Sequence, residues 1–245
     1  MHPIIFEIGN FKVYSYGLML ALAFLIGGWY FTWAGKQKGI KADFIYELII
    51  YVAIAAIIGG KLAYVLISWG YYAVHPLEIW QLWKPGLSFY GGLILGLGVT
   101  IIYIWRKKLP LNRIMDIGAP SIALGYAVAR IGCFLNGCCI GHYTTLPWGV
   151  DFGDGPRHPT QLYASGASLI IFLILHRQEK SRSFEGYLML LYIVLYAVYR
   201  FIIEFFRESP LVTPWLTLGQ LVSIIIGITA LSALLYFRSK KCLPK

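Results

Sequence analysis

Seven apolar segments of membrane-spanning length restrict what this chain can fold into. A helix needs roughly 20 residues to cross a hydrocarbon core of about 30 Å. Only 13% of the 245 residues are charged, against about 25% in a soluble domain. The sequence therefore predicts an all-α, polytopic integral membrane protein that forms a single domain over residues 1–245. The predicted spans are Tyr14–Trp33, Phe44–Ser68, Ser88–Trp105, Ile114–Leu135, Thr160–His176, Gly186–Phe206 and Trp215–Phe237.

The loops between these spans alternate between basic and nearly uncharged, and this pattern predicts their orientation. Fourteen of the 21 Lys and Arg residues follow spans one, three, five and seven. Because cytoplasmic loops carry such an excess, we expect the N-terminus outside and the C-terminus in the cytoplasm. The net charge of +10 therefore follows the membrane topology and gives no indication of nucleic-acid binding. The longer loops 69–87 and 137–158 are expected on the outer side, the first as an aromatic-rich interfacial element.

Three cations remain inside predicted spans, namely Lys61, Arg130 and Arg200. Each lies five to seven residues from the outer end of its span, which at 1.5 Å per residue is roughly 7–11 Å below the boundary. Charges in this position are costly and usually functional. Glu204 follows Arg200 by four residues, so the two share a helix face and can pair. The alternative is that these charges only pair or extend to the interface.

Other polar groups are predicted at the same depth. Tyr16 opens span one, Ser88–Gly92 opens span three, and His158–Tyr163 opens span five. A cationic pocket at head-group depth suits an anionic phospholipid, since arginine presents a planar fork to phosphate oxygens. Asp116 lies at the opposite end of span four, where we expect a helix N-terminal residue favoured by the macrodipole.

Arg130–Gly141 (RIGCFLNGCCIG) places an arginine next to three cysteines. Three interpretations are open. The thiols could be small, inert packing groups. They could be soft ligands or redox groups together with His142 and His158, although the spacing fits no standard zinc pattern. Finally, a thiolate beside Arg130 could act as base or nucleophile, including as a covalent lipid carrier on Cys138.

The order of several short motifs resembles that of the prolipoprotein diacylglyceryl transferase family. The resemblance covers nearly the whole chain, and its specificity comes from the combination of motifs. The matching stretches are Tyr14–Met19 (YSYGLM), Gly59–Tyr64 (GGKLAY), Gly86–Leu93 (GLSFYGGL), Asp116–Pro120 (DIGAP), Arg130–Gly141, His158–Tyr163 (HPTQLY), Tyr199–Arg207 (YRFIIEFFR) and Gly219-Gln220.

This resemblance implies an enzyme of the bacterial cytoplasmic membrane whose active site faces the outer leaflet. It would move the diacylglyceryl group of phosphatidylglycerol onto the lipobox cysteine of a prolipoprotein signal peptide. The product would be a thioether, and glycerol 1-phosphate would leave. Two alternatives are a divergent paralogue with another acceptor and a non-catalytic lipid-binding membrane protein. The expected partners are the lipid bilayer and these two substrates, without a cofactor or metal.

The resemblance also implies roles for individual residues. Arg130 and Arg200 match the family's essential arginines and would hold the phosphate, with Glu204 orienting Arg200. Some positions depart from the family's common pattern: Tyr90 replaces a frequent histidine, and Ala164 replaces a frequent Glu. Cys133 and Cys138 stand where Asn and Glu are common. Tyr90 and Cys138 are the remaining candidate catalytic residues. The expected substrate-binding residues are Tyr16, Lys61, Asn136, Gly141, His158 and Gln161.

Overall fold

The computed structural model describes residues 3–8, 11–81 and 86–242, and within them the chain is mostly helical. The described residues also form two short antiparallel hairpins, β1 (Ile4–Ile8) with β2 (Phe11–Tyr14) and β3 (Val150–Asp151) with β4 (Pro156–Arg157). Three short 3-10 helices are Pro76–Trp80, Glu179–Ser181 and Glu204–Phe206. The helices are α1 (Ser15–Gln37), α2 (Ala42–Ile67), α3 (Trp69–Tyr72), α4 (Phe89–Arg106), α5 (Leu111–Asn136), α6 (Thr160–Gln178), α7 (Tyr187–Ile203) and α8 (Leu218–Cys242).

Six helices are long and apolar enough to cross a membrane, which confirms an all-α polytopic membrane protein. They are α1, α2, α4, α5, α7 with its continuation to Phe206, and α8. The fifth predicted span corresponds to α6, which has 19 residues but contains Thr, Gln, Ser and His. That α6 also crosses the membrane stays a prediction, as do the orientation of the termini and the single domain.

By contacts the chain divides into two compact units, residues 1–31 with 115–245, and residues 32–114. In the second unit, α2 and α4 approach so closely that their backbones touch. A Cβ on Gly59 would lie 2.4 Å from the Gly91 carbonyl oxygen, and one on Gly91 would lie 2.3 Å from that of Gly59. Small residues of this kind let helices pack where the lipid removes the hydrophobic driving force.

Replacing Gly59 with valine should therefore separate α2 from α4. Overpacking of this kind costs about 1–3 kcal/mol, and the clash here is with backbone. We expect a lower unfolding midpoint in detergent, measured by circular dichroism against denaturant. Gly98→Val, also on α4, is the matched control because no described atom lies within 4 Å of its added Cβ. Equal midpoints for the two variants would contradict this packing.

In the first unit, α5 contacts both α1 and α6. A Cβ on Gly27 would lie 3.1 Å from the Ser121 carbonyl oxygen, and one on Gly125 would lie 3.1 Å from that of Ala23. On α6, the Ser165 and Ser168 hydroxyls donate to α5 carbonyl oxygens at 2.8 and 2.9 Å. Small residues and hydroxyl bonds therefore fix α5 in place without bulky side chains between the helices.

Asp116 is fully buried and holds the start of α7. Its carboxylate accepts hydrogen bonds from the backbone N–H groups of Gly186, Leu188 and Met189 at 2.8, 2.8 and 3.2 Å. The Arg182 guanidinium lies 3.6 Å away. Asp116 was expected to stabilise the N-terminus of its own helix, and this prediction is wrong. The carboxylate caps α7 instead, a partner 70 residues away that local spacing cannot indicate.

Asp116→Ala should destabilise the protein by about 2 kcal/mol or more, because three N–H groups lose their acceptor in a buried place. Asp116→Asn keeps one oxygen acceptor and should lose less. The midpoint of thermal unfolding in detergent should be highest for the wild type, lower for Asp116→Asn and lowest for Asp116→Ala. Asp43→Ala removes an exposed acidic residue from the first turn of α2 and serves as control; an Asp116→Ala midpoint matching this control would rule out the cap.

The segment 137–158 is ordered around one arginine. The buried Arg157 guanidinium bonds to Asp154 at 2.6 Å and to Glu208 at 2.7 Å. It also donates to the Gly141 carbonyl oxygen at 3.1 Å and stacks 3.8 Å from the centre of the Tyr143 ring. This segment therefore sets the position of the chain that enters α6.

Candidate active site

Arg130 lies in the last turns of α5 and is half-buried. Its guanidinium donates to the Tyr126 hydroxyl, one helical turn earlier, and lies 4.7 Å from the centre of that ring. Both contacts leave part of the guanidinium fork without an acidic partner among the described residues. Arg130 is therefore positioned by a neutral group and keeps its full charge for a ligand.

Arg200 is held by an acidic partner. It pairs with Glu204 on the next turn, and the Glu204 side chain is only 2% exposed. The other carboxylate oxygen of Glu204 accepts from the Thr217 hydroxyl at 3.1 Å. Thr217 and Gln220 form reciprocal bonds of 3.1 and 3.2 Å that cap the start of α8. The Glu204 carboxylate is thereby fixed, and it fixes Arg200 in turn.

Tyrosine side chains bring the two arginines into one cluster. Tyr196 and Tyr199, on α7, each lie within electrostatic reach of both Arg130 and Arg200. The Tyr126 and Tyr196 rings meet edge to face with centres 5.8 Å apart. The cluster contains two guanidiniums and one carboxylate, so one net positive charge remains in an aromatic, largely buried setting. Such a site favours a monoanionic ligand.

Gly219 permits the ion pair to form. A Cβ at this position would lie 2.8 Å from the Glu204 Oε1 atom and 3.0 Å from the Arg200 Nη2 atom. The first turn of α8 therefore packs directly on both charged groups. Any larger residue would have to displace one of them.

The three cysteines beside Arg130 converge on one point. Their sulfur atoms all lie within 4.8 Å of one another. The chain leaves α5 through Gly137, with φ of +70°, and returns so that the Cys138 N–H donates to the Cys133 carbonyl oxygen at 3.1 Å. From α6, Thr160 donates to the Cys139 carbonyl oxygen at 2.7 Å and Gln161 to that of Cys138 at 2.6 Å.

This surrounding changes the ionisation of the exposed Cys139. Hydrogen bonds from the Cys133 and Cys138 thiols, together with the charges of Arg130 and Arg207, hold the pKa of the Cys139 thiol below its usual range. The Asn136 side chain, at the end of α5, lies close enough to act on the Cys138 thiol. The sulfurs converge, and which of the three interpretations of the cysteines applies stays a prediction.

The other expected binding residues of the first unit surround these groups. The Tyr16 hydroxyl lies within electrostatic reach of Arg130 and the three sulfurs. His158 contacts Tyr163, with Nδ1 3.3 Å from the hydroxyl, and packs on Phe206. A Cβ on Gly141 would lie 2.4 Å from the Phe206 carbonyl oxygen. Gly141 therefore acts at least through close backbone packing, while its contact with substrate stays a prediction.

Tyr90 and Lys61 belong to the second unit. Tyr90 is 74% exposed and contacts the Phe89 ring. Lys61 is buried, and its ammonium donates to the Tyr72 hydroxyl at 3.4 Å and to the Gln81 carbonyl oxygen at 3.3 Å. These contacts explain how α2 tolerates a buried cation. The substrate role of Lys61 and the catalytic role of Tyr90 stay predictions.

An apolar groove of about 480 Å³ runs between α6 and α7. Tyr199 and Tyr163 line it together with aliphatic side chains such as Ile170, Ile174 and Val198. Tyr199 also belongs to the arginine cluster, so the groove and the cationic site share a wall. The positive charge of the arginine cluster suits the head group of a phospholipid, and the apolar groove suits its acyl chains.

Sequence reasoning missed several residues of this site. Tyr126 precedes Arg130 by four residues, and Tyr196 precedes Arg200 by four, a spacing that places each tyrosine on the same helix face as its arginine. This signal was available in the sequence. Thr217, by contrast, contacts Glu204 from 13 positions further along the chain, and nothing local indicates that pairing.

Known proteins resemble this chain over nearly its whole length. The family model for prolipoprotein diacylglyceryl transferase matches residues 3–236. Three similar relatives are each named phosphatidylglycerol–prolipoprotein diacylglyceryl transferase. The protein of Geobacter sulfurreducens is 35% identical over 242 residues, covering 93% of both chains. That of Wolbachia pipientis subsp. Culex pipiens is 36% identical and covers 97% of both, and that of Bacillus velezensis is 32% identical, covering 98% of this chain and 93% of its own.

These matches confirm the resemblance predicted from the motifs. The match includes the stretches that carry both arginines, the cysteine segment and Glu204. The chain therefore belongs to the prolipoprotein diacylglyceryl transferase family and is a transferase.

Proposed function

We propose that this protein transfers the diacylglyceryl group of phosphatidylglycerol to the lipobox cysteine thiol of prolipoprotein signal peptides. The relatives' names supply the lipid donor and the prolipoprotein acceptor. The single observation that carries the proposal in this chain is the cluster of two arginines with only one carboxylate. A phosphodiester carries one negative charge, and this cluster has one positive charge in excess.

The reaction requires charge stabilisation at the phosphate. The acceptor sulfur forms a bond to the glyceryl carbon, the bond from that carbon to the phosphate oxygen breaks, and glycerol 1-phosphate leaves. Negative charge grows on the departing phosphate as this bond breaks. The guanidinium N–H groups of Arg130 and Arg200 are donors for that charge. Because they are already oriented, they need no reorganisation during the reaction.

Glu204 acts by orienting Arg200. The Thr217 hydroxyl bonds to one oxygen of its buried carboxylate, and the other oxygen pairs with the Arg200 guanidinium and holds it in place. Arg130 needs no second carboxylate because Tyr126 orients it without neutralising it. Two carboxylates would leave the cluster neutral and would weaken binding of the phosphate.

The acyl chains fit the groove between α6 and α7. Its wall is aliphatic and aromatic, and it shares Tyr199 with the charged cluster. A lipid could then enter from the bilayer with its head group at the arginines. The loop charges support a position of this site in the outer leaflet of a bacterial cytoplasmic membrane, where a secreted precursor presents its cysteine.

The direct test mixes purified protein with phosphatidylglycerol and a lipobox peptide and measures the peptide mass. A mass gain of one diacylglyceryl group with release of glycerol 1-phosphate is expected. A peptide in which serine replaces the cysteine should gain nothing. Persistent lipid binding without any peptide adduct would instead support the non-catalytic alternative, and glycerol 1-phosphate release without an adduct would support another acceptor.

Conservative changes should separate charge from geometry. Arg200→Lys keeps the charge but loses the planar fork, and loss of an oriented donor costs about 10²–10³ in rate. Glu204→Gln keeps the size of the side chain but releases Arg200, so a smaller decrease in kcat is expected. Arg177→Lys, an exposed arginine in the last turn of α6, is the matched control. Wild-type rates in both site variants would exclude Arg200 from the reaction.

Gly219→Ala tests the packing of α8 on the ion pair. The added methyl group would meet Glu204 and Arg200 at 2.8 and 3.0 Å, so it should shift Arg200 and lower the rate of transfer at least tenfold. Gly166→Ala on α6 is the control because no described atom comes within 4 Å of its added Cβ. Unchanged activity in Gly219→Ala, at equal thermal stability, would show that the ion pair need not be fixed.

A further inference from the structure

The convergence of Cys133, Cys138 and Cys139 has the geometry of a metal site. Zn–S bonds are about 2.3 Å long, so the sulfur atoms of a tetrahedral site lie roughly 3.8 Å apart. The three sulfurs here already lie within 4.8 Å of one another. Small side-chain rotations are therefore enough to bring them to metal-binding distances.

The backbone that carries these thiols is held independently of any ion. Cys133 comes from the last turns of α5, while Cys138 and Cys139 come from the turn that follows. Thr160 and Gln161 bind the carbonyl oxygens of Cys139 and Cys138 from the start of α6. The Gln161 side chain is fully buried, and its Oε1 atom has no hydrogen-bond partner among the described residues. The backbone of this turn is thus fixed, and one buried acceptor beside it has no partner among the described residues.

The charges nearby favour thiolates, the form in which cysteines bind zinc. Three thiolates with Zn²⁺ carry one net negative charge, and Arg130 and Arg207 both act electrostatically on Cys139. The Cys138 thiol itself donates to the Cys133 carbonyl oxygen at 3.6 Å, so this sulfur is already oriented toward Cys133. A zinc–trithiolate group carries a single negative charge, which Arg207 outside the arginine cluster can balance, so Arg130 and Arg200 keep their charge for the phosphate.

A disulfide accounts for this arrangement less well. Any bond between two of the sulfurs leaves the third unpaired, whereas one metal ion uses all three. Cys138 and Cys139 are neighbours in the chain, where a disulfide is strained. The residues also differ in exposure in a way that suits an open metal site, since Cys133 is buried, Cys138 is half-buried and Cys139 is exposed.

We propose that Cys133, Cys138 and Cys139 bind one zinc ion whose fourth position takes the thiol of the acceptor peptide. This inference rests on the proposed transferase function. Zinc sites that act on substrates use three protein ligands and keep one position open. A thiol that coordinates such an ion is deprotonated outright. Zinc would thus deprotonate the acceptor thiol, a task for which this chain has Tyr90 where a histidine base is common.

The step balances without an oxidant or reductant. On zinc binding the three cysteine thiols release their protons to water. The acceptor thiol then coordinates zinc and releases its own proton to water. Its sulfur lone pair forms the bond to the glyceryl carbon as the carbon–oxygen bond to phosphate breaks. Glycerol 1-phosphate leaves with that electron pair, and the neutral thioether, a weaker ligand, dissociates from zinc.

The first measurement is metal content. Purified full-length protein is stripped with a chelator, equilibrated with Zn²⁺ alone and analysed by elemental mass spectrometry. One zinc per chain is expected, with loss in Cys133→Ser, Cys138→Ser and Cys139→Ser. Cys242→Ser, at the end of α8, is the matched control and should retain zinc. Because a serine variant could fail to fold, Cys139→His should restore binding. Absence of bound zinc in the stripped and reloaded wild type would overturn the proposal.

The second measurement tests the open position. Co²⁺ replaces Zn²⁺ and gives visible absorption bands that depend on the number of thiolate ligands. A lipobox peptide should change these bands, and its cysteine-to-serine analogue should not. No change with either peptide would overturn the acceptor role of the metal. This readout needs no lipid and no turnover.

Activity then separates this inference from the proposed function. Transfer should fall at least tenfold on chelation and return on addition of Zn²⁺. Full transfer by the metal-free protein would contradict the zinc step while leaving the transferase function intact. Zinc binding and cobalt spectra as expected, without peptide lipidation under any condition, would instead contradict the proposed function and leave the metal site standing.

Discussion

The ion pair between Arg200 and Glu204 is the interaction on which the site depends. An arginine within a hydrocarbon-length helix costs about 2.5–3.5 kcal/mol on insertion scales, and a buried carboxylate is also costly unless paired. Each group makes the other tolerable. The Thr217 hydroxyl donates to the Glu204 Oε1 atom, and Gly219 allows the first turn of α8 to pack directly on both charged groups. The last turn of α7 and the first of α8 are thereby joined by polar contacts.

Arg130 is held in its helix by a neutral partner, whereas Arg200 is held by a carboxylate, and this difference determines the net charge of the site. Its partner is the neutral Tyr126 hydroxyl. A second carboxylate would have stabilised α5 further but would have cancelled the remaining positive charge. The absence of a carboxylate beside Arg130 therefore makes α5 less stable but preserves the affinity of the cluster for an anion. The tyrosines on α7 surround both guanidiniums with aromatic rings and hydroxyl groups.

The sequence allowed prediction of the features that depend on local periodicity. Membrane-spanning length predicted the helices, and the spacing of Arg200 and Glu204 predicted their pairing, which the structure confirms. Contacts between distant segments could not be predicted. Asp116 caps α7 rather than its own helix, and the 5-residue spacing between Cys133 and Cys138 resembles no standard metal motif. Gly137 makes that spacing work, because its positive φ turns the chain back onto α5.

The central claim is that Arg130 and Arg200 together hold the phosphate of the lipid donor. The most direct measurement is an experimental structure of the full-length protein in a lipid nanodisc containing phosphatidylglycerol. The account predicts phosphate oxygens within hydrogen-bonding distance, about 2.7–3.2 Å, of both guanidiniums, with acyl density in the groove between α6 and α7. Phosphatidylglycerol bound elsewhere, with neither arginine in contact with its phosphate, would contradict the account.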